Sequence, residues 1–187
     1  GPLPLAATTA MVADLARRVG GDLVRISNLM GPGVDPHLYK ATAEDLVKLQ
    51  QAAIIFHSGL HLEGRMQDVF DQLKRGGRAV HAVTEALPAA RLLKPTAFEG
   101  HFDPHVWFDV DLWSGCLGTV AGAITRARPD RAGVVADNAS AARAALAALH
   151  QWALARAAEL PAERRILITS HDAFNYFGRA YGFRVVR

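Results

Sequence analysis

Three histidines in this chain have neighbours suited to binding a metal ion. The tripeptide Asp-Pro-His occurs twice, ending at His37 and at His105, and His171 closes the run Leu-Ile-Thr-Ser-His. Neutral imidazole is a common ligand of Zn²⁺ and of other first-row divalent ions. Residues so far apart in the sequence can share one ion only if the fold brings their loops together. We therefore predict a transition-metal site made of His37, His105 and His171.

Proline precedes two of these histidines. Taken one at a time, each histidine is more simply explained as a surface residue or a hydrogen-bonded core residue. The repeated proline changes that balance, because it fixes its own φ angle and keeps the aspartate before it extended. The imidazoles of His37 and His105 therefore project from stiff turns, which favours a preorganised metal site over two unrelated histidines.

The composition limits the class of protein. The 187 residues suffice for one large domain or somewhat more, and 50% of them are hydrophobic, so a sizeable core can be buried. No stretch approaches the roughly 18 to 20 apolar residues of a membrane helix. The net charge is +3, but the basic residues are scattered, which argues against a nucleic-acid partner. The single cysteine, Cys116, excludes an internal disulfide and any cysteine-rich zinc module, and we expect it to be buried.

The first half of the chain predicts repeated strand–helix units. Strands are predicted at 3–9, 22–29, 53–56 and 78–83, and helices at 11–20, 42–50 and 66–74. Thr42 is expected to cap the second helix. The alternation indicates an α/β fold with an open, mainly parallel sheet covered on both faces. Ligands of such sheets bind beyond the carboxyl ends of the strands, and both His37 and His171 follow predicted strands.

The second half has a different pattern. One apolar-faced helix is predicted at 111–126, and an alanine-rich helix of about 45 Å at 131–160. The long helix is either a surface helix or a rigid connection between two lobes. A strand at 165–169 and a helix at 173–181 follow, in a segment too short for a sheet of its own. That segment either adds to the first lobe or begins a second lobe that is mostly absent from the sequence.

Four runs of residues carry a resemblance to a known family. They are 30–39 (MGPGVDPHLY), 59–63 (GLHLE), 103–109 (DPHVWFD) and 169–177 (TSHDAFNYF). In this order, and over nearly the whole chain, they resemble the zinc/manganese-type (cluster A-I) substrate-binding proteins of bacterial ABC transporters.

The resemblance implies two Rossmann-like α/β lobes with mainly parallel sheets, joined by one long linking helix, with the metal between the lobes. On this chain it implies an N-terminal metal-binding lobe at 1–128, the linking helix at 129–160, and the start of an incomplete C-terminal lobe at 161–187. The family's first three ligands fall on His37, His105 and His171. The fourth ligand of the family is usually an aspartate from the rest of the second lobe, and no residue here matches it.

The third ligand position bears on which metal is bound. A histidine there resembles the zinc members, since many manganese members have glutamate at this position. The long histidine-rich loop of dedicated zinc members is absent, because the stretch 89–100 contains no histidine. The resemblance therefore implies Zn²⁺, with Mn²⁺ as the alternative.

The implied function is capture of a divalent metal ion and its delivery to the membrane permease of an ABC importer, without enzymatic activity. The implied location is the periplasm, or a lipid anchor on the outer face of the cytoplasmic membrane. The alternative is a zinc-dependent hydrolase, because three histidines with an open coordination position are also a catalytic layout. No His-Glu-x-x-His, Gly-x-Ser-x-Gly or glycine-rich phosphate loop supports that alternative.

The remaining histidines have less definite roles. His57 and His61 are placed in a loop after a strand, where they are expected to face solvent or to support a ligand, and where His61 is an alternative ligand. His101 is either an auxiliary metal contact or a solvated loop residue. His81 and His150 are expected to be structural.

Several carboxylates flank the predicted ligands or lie in the four runs. Asp35, Asp103 and Asp172 either orient the imidazoles by accepting hydrogen bonds from them or cap the ends of helices. Glu63 and Asp109 have the same two alternatives.

Overall fold

The computed structural model describes residues 1–186, and Arg187, the last residue of the predicted C-terminal segment, lies outside them. The strands are β1 (Leu3–Ala7), β2 (Val24–Asn28), β3 (Ile54–His57), β4 (Ala79–Ala82), β5 (Ile166–Ile168) and β6 (Arg184–Val186). The helices are α1 (Ala10–Gly20), α2 (Ala43–Gln51), α3 (Gln67–Arg75), α4 (Val110–Ser114), α5 (Leu117–Ala127), α6 (Ala132–Ala158) and α7 (Asn175–Tyr181). The strand–helix alternation predicted for the first half is confirmed, with boundaries shifted by a residue or two.

The first four strands form one parallel sheet in the order β2-β1-β3-β4. In this sheet Leu5 of β1 lies opposite Ile26 of β2 and Ile54 of β3. Because the strands run in the same direction, their carboxyl ends all lie at one edge, where such sheets bind ligands. The predicted α/β class with a parallel sheet is confirmed.

Both faces of this sheet are buried. Successive residues of a strand point to opposite faces, so Leu5 and Ala7 pack in one hydrophobic layer and Ala6 packs in the other. The first layer also contains residues of α1, α4, α5 and α6, and the second contains residues of α2 and α3. The predicted coverage of the sheet on both faces is confirmed.

A capping box fixes the start of α2. Thr42 Oγ1 accepts the N–H of Asp45 (3.2 Å), while the Asp45 carboxylate accepts the N–H of Thr42 (2.9 Å). The same carboxylate accepts a hydrogen bond from the Tyr39 hydroxyl (2.6 Å), which ties the loop after His37 to this helix. The predicted cap at Thr42 is confirmed.

The single helix predicted at 111–126 is wrong, because the chain forms two helices there, α4 and α5. At their junction the N–H groups of Gly115 and Cys116 donate to the carbonyls of Leu112 and Trp113 (3.1 and 3.0 Å), three residues earlier, so the turn tightens. A Cβ atom on Gly115 would lie 2.8 Å from Leu87 Cδ2. Glycine therefore permits a close approach that sequence periodicity alone does not reveal. Cys116 is buried, as predicted.

Helix α6 has 27 residues, which at 1.5 Å per residue span about 40 Å. Its buried residues Val135, Ala139, Ala142 and Leu146 recur every three or four positions and pack in the layer shared with α1, α4 and α5. Trp152, farther along, is exposed. The first part of α6 therefore covers the sheet-bearing lobe, and the three-part division of the chain stays a prediction. None of the helices within residues 1–186 has the length and apolar character needed to cross a membrane.

The segment after α6 forms a small sheet, so the expectation that it was too short for one is wrong. Strands β5 and β6 pair in parallel, with α7 between them in the chain. No strand was predicted at β6, since three residues give too short a pattern to recognise. Helix α7 begins at Asn175 rather than at 173, because the carbonyl of His171 accepts bonds from the Ala173 N–H (2.9 Å) and the Thr169 hydroxyl (3.0 Å) in a turn.

Candidate metal centre

The side chains of His37, His105 and His171 converge from three loops. One ring nitrogen of each lies within 4.8 Å of the others. The ring centroids form a nearly equilateral triangle with sides of 5.1, 5.2 and 5.3 Å, and the two Nε2 atoms of His37 and His105 are 3.1 Å apart. Within residues 1–186, no other group of three or more histidine, cysteine or acidic side chains is so close together. The structure thus brings together all three predicted ligands, and their ligand role stays a prediction.

The loop that carries His37 is fixed at both ends. The N–H of Leu29 donates to the carbonyl of Ala7 (2.9 Å), which continues the pairing of β1 with β2 beyond the strands. At the other end, Tyr39 is held by the capping box of α2. Between them, Asp35 Oδ1 accepts the backbone N–H of His37 (2.9 Å). Asp35 therefore orders the backbone of the turn and does not hold the ring.

Asp103 holds the ring of His105 in one orientation. Its carboxylate accepts hydrogen bonds from the ring Nδ1 (2.7 Å) and the backbone N–H (3.0 Å) of His105, and the two residues are only 0% and 2% exposed. A proton on Nδ1 leaves Nε2 with a lone pair for a metal. Burial raises the pKa of Asp103, but the hydrogen bonds from His105 and Asn175 outweigh burial and hold this pKa below its usual value. Of the two alternatives predicted for Asp103, the orienting role is the one that its contacts support.

Two residues of α7 connect this helix to the Asp103 segment. The amide of Asn175 donates to Asp103 Oδ2 (2.9 Å) and to Asp172 Oδ1 (2.9 Å). The hydroxyl of Tyr176 donates to the Asp103 carbonyl (2.8 Å) and accepts the N–H of Leu93 (3.0 Å). Sequence reasoning did not assign these roles, although both residues belong to the run at 169–177. Their position four and five residues after His171, in a run with three further polar side chains (Thr169, Ser170 and Asp172), was the available indication.

The third histidine has a different environment. His171 follows β5 and is exposed, whereas His105 is buried and His37 is half-buried. The turn at its carbonyl fixes the backbone, and the Asn175–Asp103 hydrogen bond keeps the start of α7 beside His105. The triangle therefore has a buried side and a solvent-facing side.

Aromatic side chains form one wall of the centre. A cavity of about 340 Å³ beside the imidazoles is lined by the three histidines and by Asp35, Pro36, Trp107, Phe108, Ala173 and Phe174. The Phe108 and Phe174 rings are 4.5 Å apart, and the Trp107 ring meets the edge of the His105 ring at 5.4 Å. No lysine or arginine lines this cavity. A cation placed there meets no fixed positive charge on the lining side chains.

The pKa of His37 lies below its ordinary value of 6.5. Burial is the largest cause, and the charge of a protonated His105 adds to it, while Asp35 acts in the opposite direction. His37 is consequently neutral at pH 7, which is the form of imidazole that binds metals.

Asp109 and Glu63 serve the backbone rather than the three imidazoles. Asp109 Oδ1 caps α4 by accepting the N–H of Leu112 (3.1 Å). Glu63 is buried and accepts hydrogen bonds from the Thr8 hydroxyl and the Ser58 N–H, both at 2.6 Å. Asp109 therefore follows the capping alternative, and Glu63 follows neither of its two, since it holds the loop after β3.

His57, His61 and His101 lie outside the triangle. The loop position predicted for His57 is wrong, because β3 extends one residue further than expected and includes it. His57 is buried, and its ring stacks on Phe70 with centroids 4.2 Å apart. The rings of His61 and His101 contact each other at 4.8 Å.

His81 and His150 have local partners, as expected of structural residues. Nδ1 of His81 lies 3.1 Å from Glu85 Oε1. Nδ1 of His150 lies 3.2 Å from the hydroxyl of Tyr181, which also accepts the N–H of Val110 (3.3 Å). His150 therefore belongs to the contact between α6 and α7.

Comparisons with known proteins show the family of this chain. A family model described as the periplasmic zinc-uptake complex component A matches residues 5–187. The manganese-binding lipoprotein MntA of Bacillus subtilis (strain 168) is 42% identical over 183 residues, a match that covers 98% of this chain and 59% of MntA. The zinc-binding protein TroA of Treponema pallidum (strain Nichols) is 45% identical over 183 residues, covering 97% of this chain and 58% of TroA.

The fold is also similar to a solved structure. The periplasmic zinc-binding protein TroA from Treponema pallidum superposes with a TM-score of 0.94 at 44% identity, covering 100% of this chain and 66% of that one. The chain thus spans less than two thirds of the length of these relatives. The resemblance found in the four sequence runs is confirmed, and the chain belongs to the family of the zinc-uptake complex component A.

Proposed function

We propose that this chain is the metal-binding part of an ABC importer's substrate-binding protein, and that His37, His105 and His171 hold the metal. The observation that carries the proposal is the triangle of imidazoles, one ring nitrogen of each lying within 4.8 Å of the others. Three imidazole nitrogens this close together can supply three ligands of a tetrahedral ion and leave its fourth position open.

The support behind His105 strengthens this assignment. Histidines that bind metals commonly donate their other ring N–H to a carboxylate, which fixes the ring and makes it a better ligand. The Nδ1 of His105 has such a partner in Asp103, at 2.7 Å. Nε2 of His105 lies 3.1 Å from Nε2 of His37, a distance at which the two nitrogens share either one proton or, when both are deprotonated, one metal ion. A metal ion shared by the two lone pairs satisfies both rings.

We propose Zn²⁺ as the preferred cargo and Mn²⁺ as the weaker alternative. Imidazole is a good ligand for zinc, whereas manganese prefers carboxylate, carbonyl and water oxygens. The relatives divide in the same way by name, since TroA is described as zinc-binding and MntA as manganese-binding. The triangle of three imidazoles in this chain favours zinc.

The location and the partner of the protein are proposed from its family membership. We propose that the protein works outside the cytoplasm, in the periplasm or on a lipid anchor at the outer face of the membrane, and passes its metal to a permease. The support is family membership, together with relatives named as a lipoprotein and as a periplasmic protein. The match covers 59% and 58% of the two curated relatives.

We propose binding rather than catalysis. A zinc hydrolase needs a general base or a nucleophile beside the open coordination position. Of the nearest carboxylates, Asp103 accepts hydrogen bonds from His105 and Asn175, and Asp35 accepts the N–H of His37. The adjoining cavity is lined mainly by apolar and aromatic side chains.

Calorimetric titration with Zn²⁺ and Mn²⁺ tests the proposal. We expect one tight Zn²⁺ equivalent in the unaltered chain, and an affinity at least about 10-fold lower in each of H37A, H105A and H171A, by comparison with the loss that even supporting residues cause. H81A, which removes a histidine outside the centre, is the matched control and should bind normally. Unchanged affinity in all three variants would place the site elsewhere. Turnover of ester or phosphate substrates that H105A abolishes would favour the hydrolase.

A further inference from the structure

A second group of histidines surrounds a different cavity. His61 and His101 face each other with ring centroids 4.8 Å apart and ring planes at 65°. The three rings of the metal centre have centroid separations of 5.1, 5.2 and 5.3 Å and interplanar angles of 64°, 81° and 70°. The His61–His101 pair therefore has nearly the spacing and the edge-on arrangement of the imidazoles in the centre.

The cavity at this pair is separate from the metal centre. Its volume is about 630 Å³, and none of the residues that line it also lines the aromatic-walled cavity of the centre. The polar lining residues beyond the pair are His57, Gln67, Asp71 and Lys74. Asp71 and Gln67 lie on α3 and hydrogen-bond to each other at 2.9 Å. The lining thus combines imidazoles with one carboxylate and one ammonium group, and of these side chains imidazole is the ligand typical of transition metals.

His57 lies in the wall of the same cavity. It is only 5% exposed, and its Nε2 finds no hydrogen-bond partner within residues 1–186. The Glu63 carboxylate lies 3.8 Å from its Nδ1. Because Nε2 is enclosed by protein atoms, a molecule in the cavity does not reach it, and His57 contributes its position beside the pair rather than a ligand atom.

The backbone of both histidine loops is unusual. Leu60 and His61 have φ angles of 54° and 60°, and Glu99, two residues before His101, has a φ of 48°. Non-glycine residues seldom adopt this left-handed region, and when they do they cluster at functional sites. These are the three non-glycine residues of 1–186 with positive φ, and all lie in the two loops that place His61 and His101.

We propose that His61 and His101 form a second, weaker binding site for a divalent transition metal such as Zn²⁺ or Ni²⁺. The two imidazoles provide two ligands, and water fills the remaining positions. Because the site has two protein ligands where the centre has three, it fills after the centre does.

Zn²⁺ titration of matched variants tests this site by the number of ions bound. We expect the unaltered chain to bind one tight and one weaker equivalent. The double variant H61A/H101A should keep the tight equivalent and lose the weaker one, and the triple variant H37A/H105A/H171A should do the reverse. H81A should bind both. A single equivalent in the unaltered chain, or two in H61A/H101A, would overturn the second site without affecting the assignment of the centre.

Histidine ring signals in NMR spectra of the unaltered chain give a test that does not depend on any variant folding. The first equivalent of Zn²⁺ should shift the ring signals of His37, His105 and His171. The second should shift those of His61 and His101, with a smaller change at His57. A second equivalent that leaves His61 and His101 unshifted would contradict the proposal.

Discussion

Asp103 accepts a hydrogen bond from the ring Nδ1 of His105 at 2.7 Å, and both residues are buried away from solvent. The other carboxylate oxygen of Asp103 accepts the amide of Asn175 on α7, at 2.9 Å. One carboxylate therefore sets the tautomer of a predicted metal ligand and also holds the helix that follows His171.

Replacing Asp103 by alanine should lower the Zn²⁺ affinity about 10- to 100-fold, because the His105 ring loses the partner that fixes its orientation. Asp103→Asn should have a smaller effect, since an amide oxygen still accepts the Nδ1–H. Calorimetry with Zn²⁺ measures both. Asp14→Ala is the control, because Asp14 is a carboxylate on the surface of α1, paired with Arg18. Equal affinities for Asp103→Ala and Asp14→Ala would show that the ring needs no such partner.

Tyr176→Phe should lower both stability and Zn²⁺ affinity. The hydroxyl bridges the Asp103 carbonyl and the Leu93 N–H, and leaving buried partners unsatisfied costs about 1–3 kcal/mol. Tyr181→Phe is the matched variant, since it also loses a bond to a backbone N–H, that of Val110. We expect both variants to be less stable in urea denaturation and only Tyr176→Phe to bind zinc more weakly. If both variants lost zinc affinity equally, the cause would be a general destabilisation of α7 rather than the loss of the bond to Asp103.

Zn²⁺ should stabilise the folded chain. At a free concentration near 100 times the dissociation constant, linkage predicts an increase of about 2.7 kcal/mol in the free energy of unfolding. Below about pH 6 the increase should shrink, because protons compete for imidazoles with an unperturbed pKa near 6.5. Thermal unfolding with and without zinc at pH 7.5 and pH 5.5 measures this. H105A at the same zinc concentration is the control, and a melting temperature that zinc leaves unchanged at pH 7.5 would argue against a site in the native fold.

Glu63→Gln should make stability less sensitive to acid. Burial raises the pKa of Glu63, but the neighbouring His57 ring and the hydrogen bonds from Thr8 and Ser58 outweigh burial and lower this pKa. Below the pKa of an unfolded glutamate, about 4.3, the unfolded chain binds a proton that the folded chain does not bind, so stability falls as the pH falls through this window.

The measurement for Glu63 is urea denaturation between pH 6 and the lowest pH at which the chain stays soluble. We expect the unaltered chain to lose stability more steeply below pH 4.3 than Glu63→Gln, even if the variant starts lower. If stability fell equally steeply with pH in the two proteins, Glu63 would have the same pKa in the folded and the unfolded chain. Glu44→Gln, which changes an exposed carboxylate paired with Lys48, controls for the loss of one charge.

Local sequence determined much of the fold. The strands and helices of the first half follow from hydrophobic periodicity and from caps such as Thr42, because these depend on residues a few positions apart. The break at Gly115 could not be predicted in this way, and the packing of Gly115 against Leu87, more than twenty residues earlier, is visible only in the folded chain. Strand β6 escaped prediction because its three residues gain strand character only by pairing with β5.

The candidate site likewise has a part that the sequence predicts and a part that only the fold reveals. The repeated Asp-Pro-His and the family runs were enough to predict His37, His105 and His171. The hydrogen bonds of Asn175 and Tyr176 to Asp103 link residues 72 and 73 positions apart, so only the folded chain reveals them. The burial of His57 depends in the same way on stacking against Phe70 of α3.

The unequal exposure of the three imidazoles has a consequence for how metal selectivity evolves. Replacing the side chain of His105 removes the ring hydrogen bond to the buried carboxylate of Asp103, so substitutions in the interior half of the centre are costly. His171 is solvent-exposed, and its hydrogen bonds run through its carbonyl rather than its ring. A carboxylate at that position would alter the donor charge of the centre while the interior pair stayed intact. Selection between softer and harder ions therefore has its least costly route at this one position, for natural lineages and for protein engineers alike.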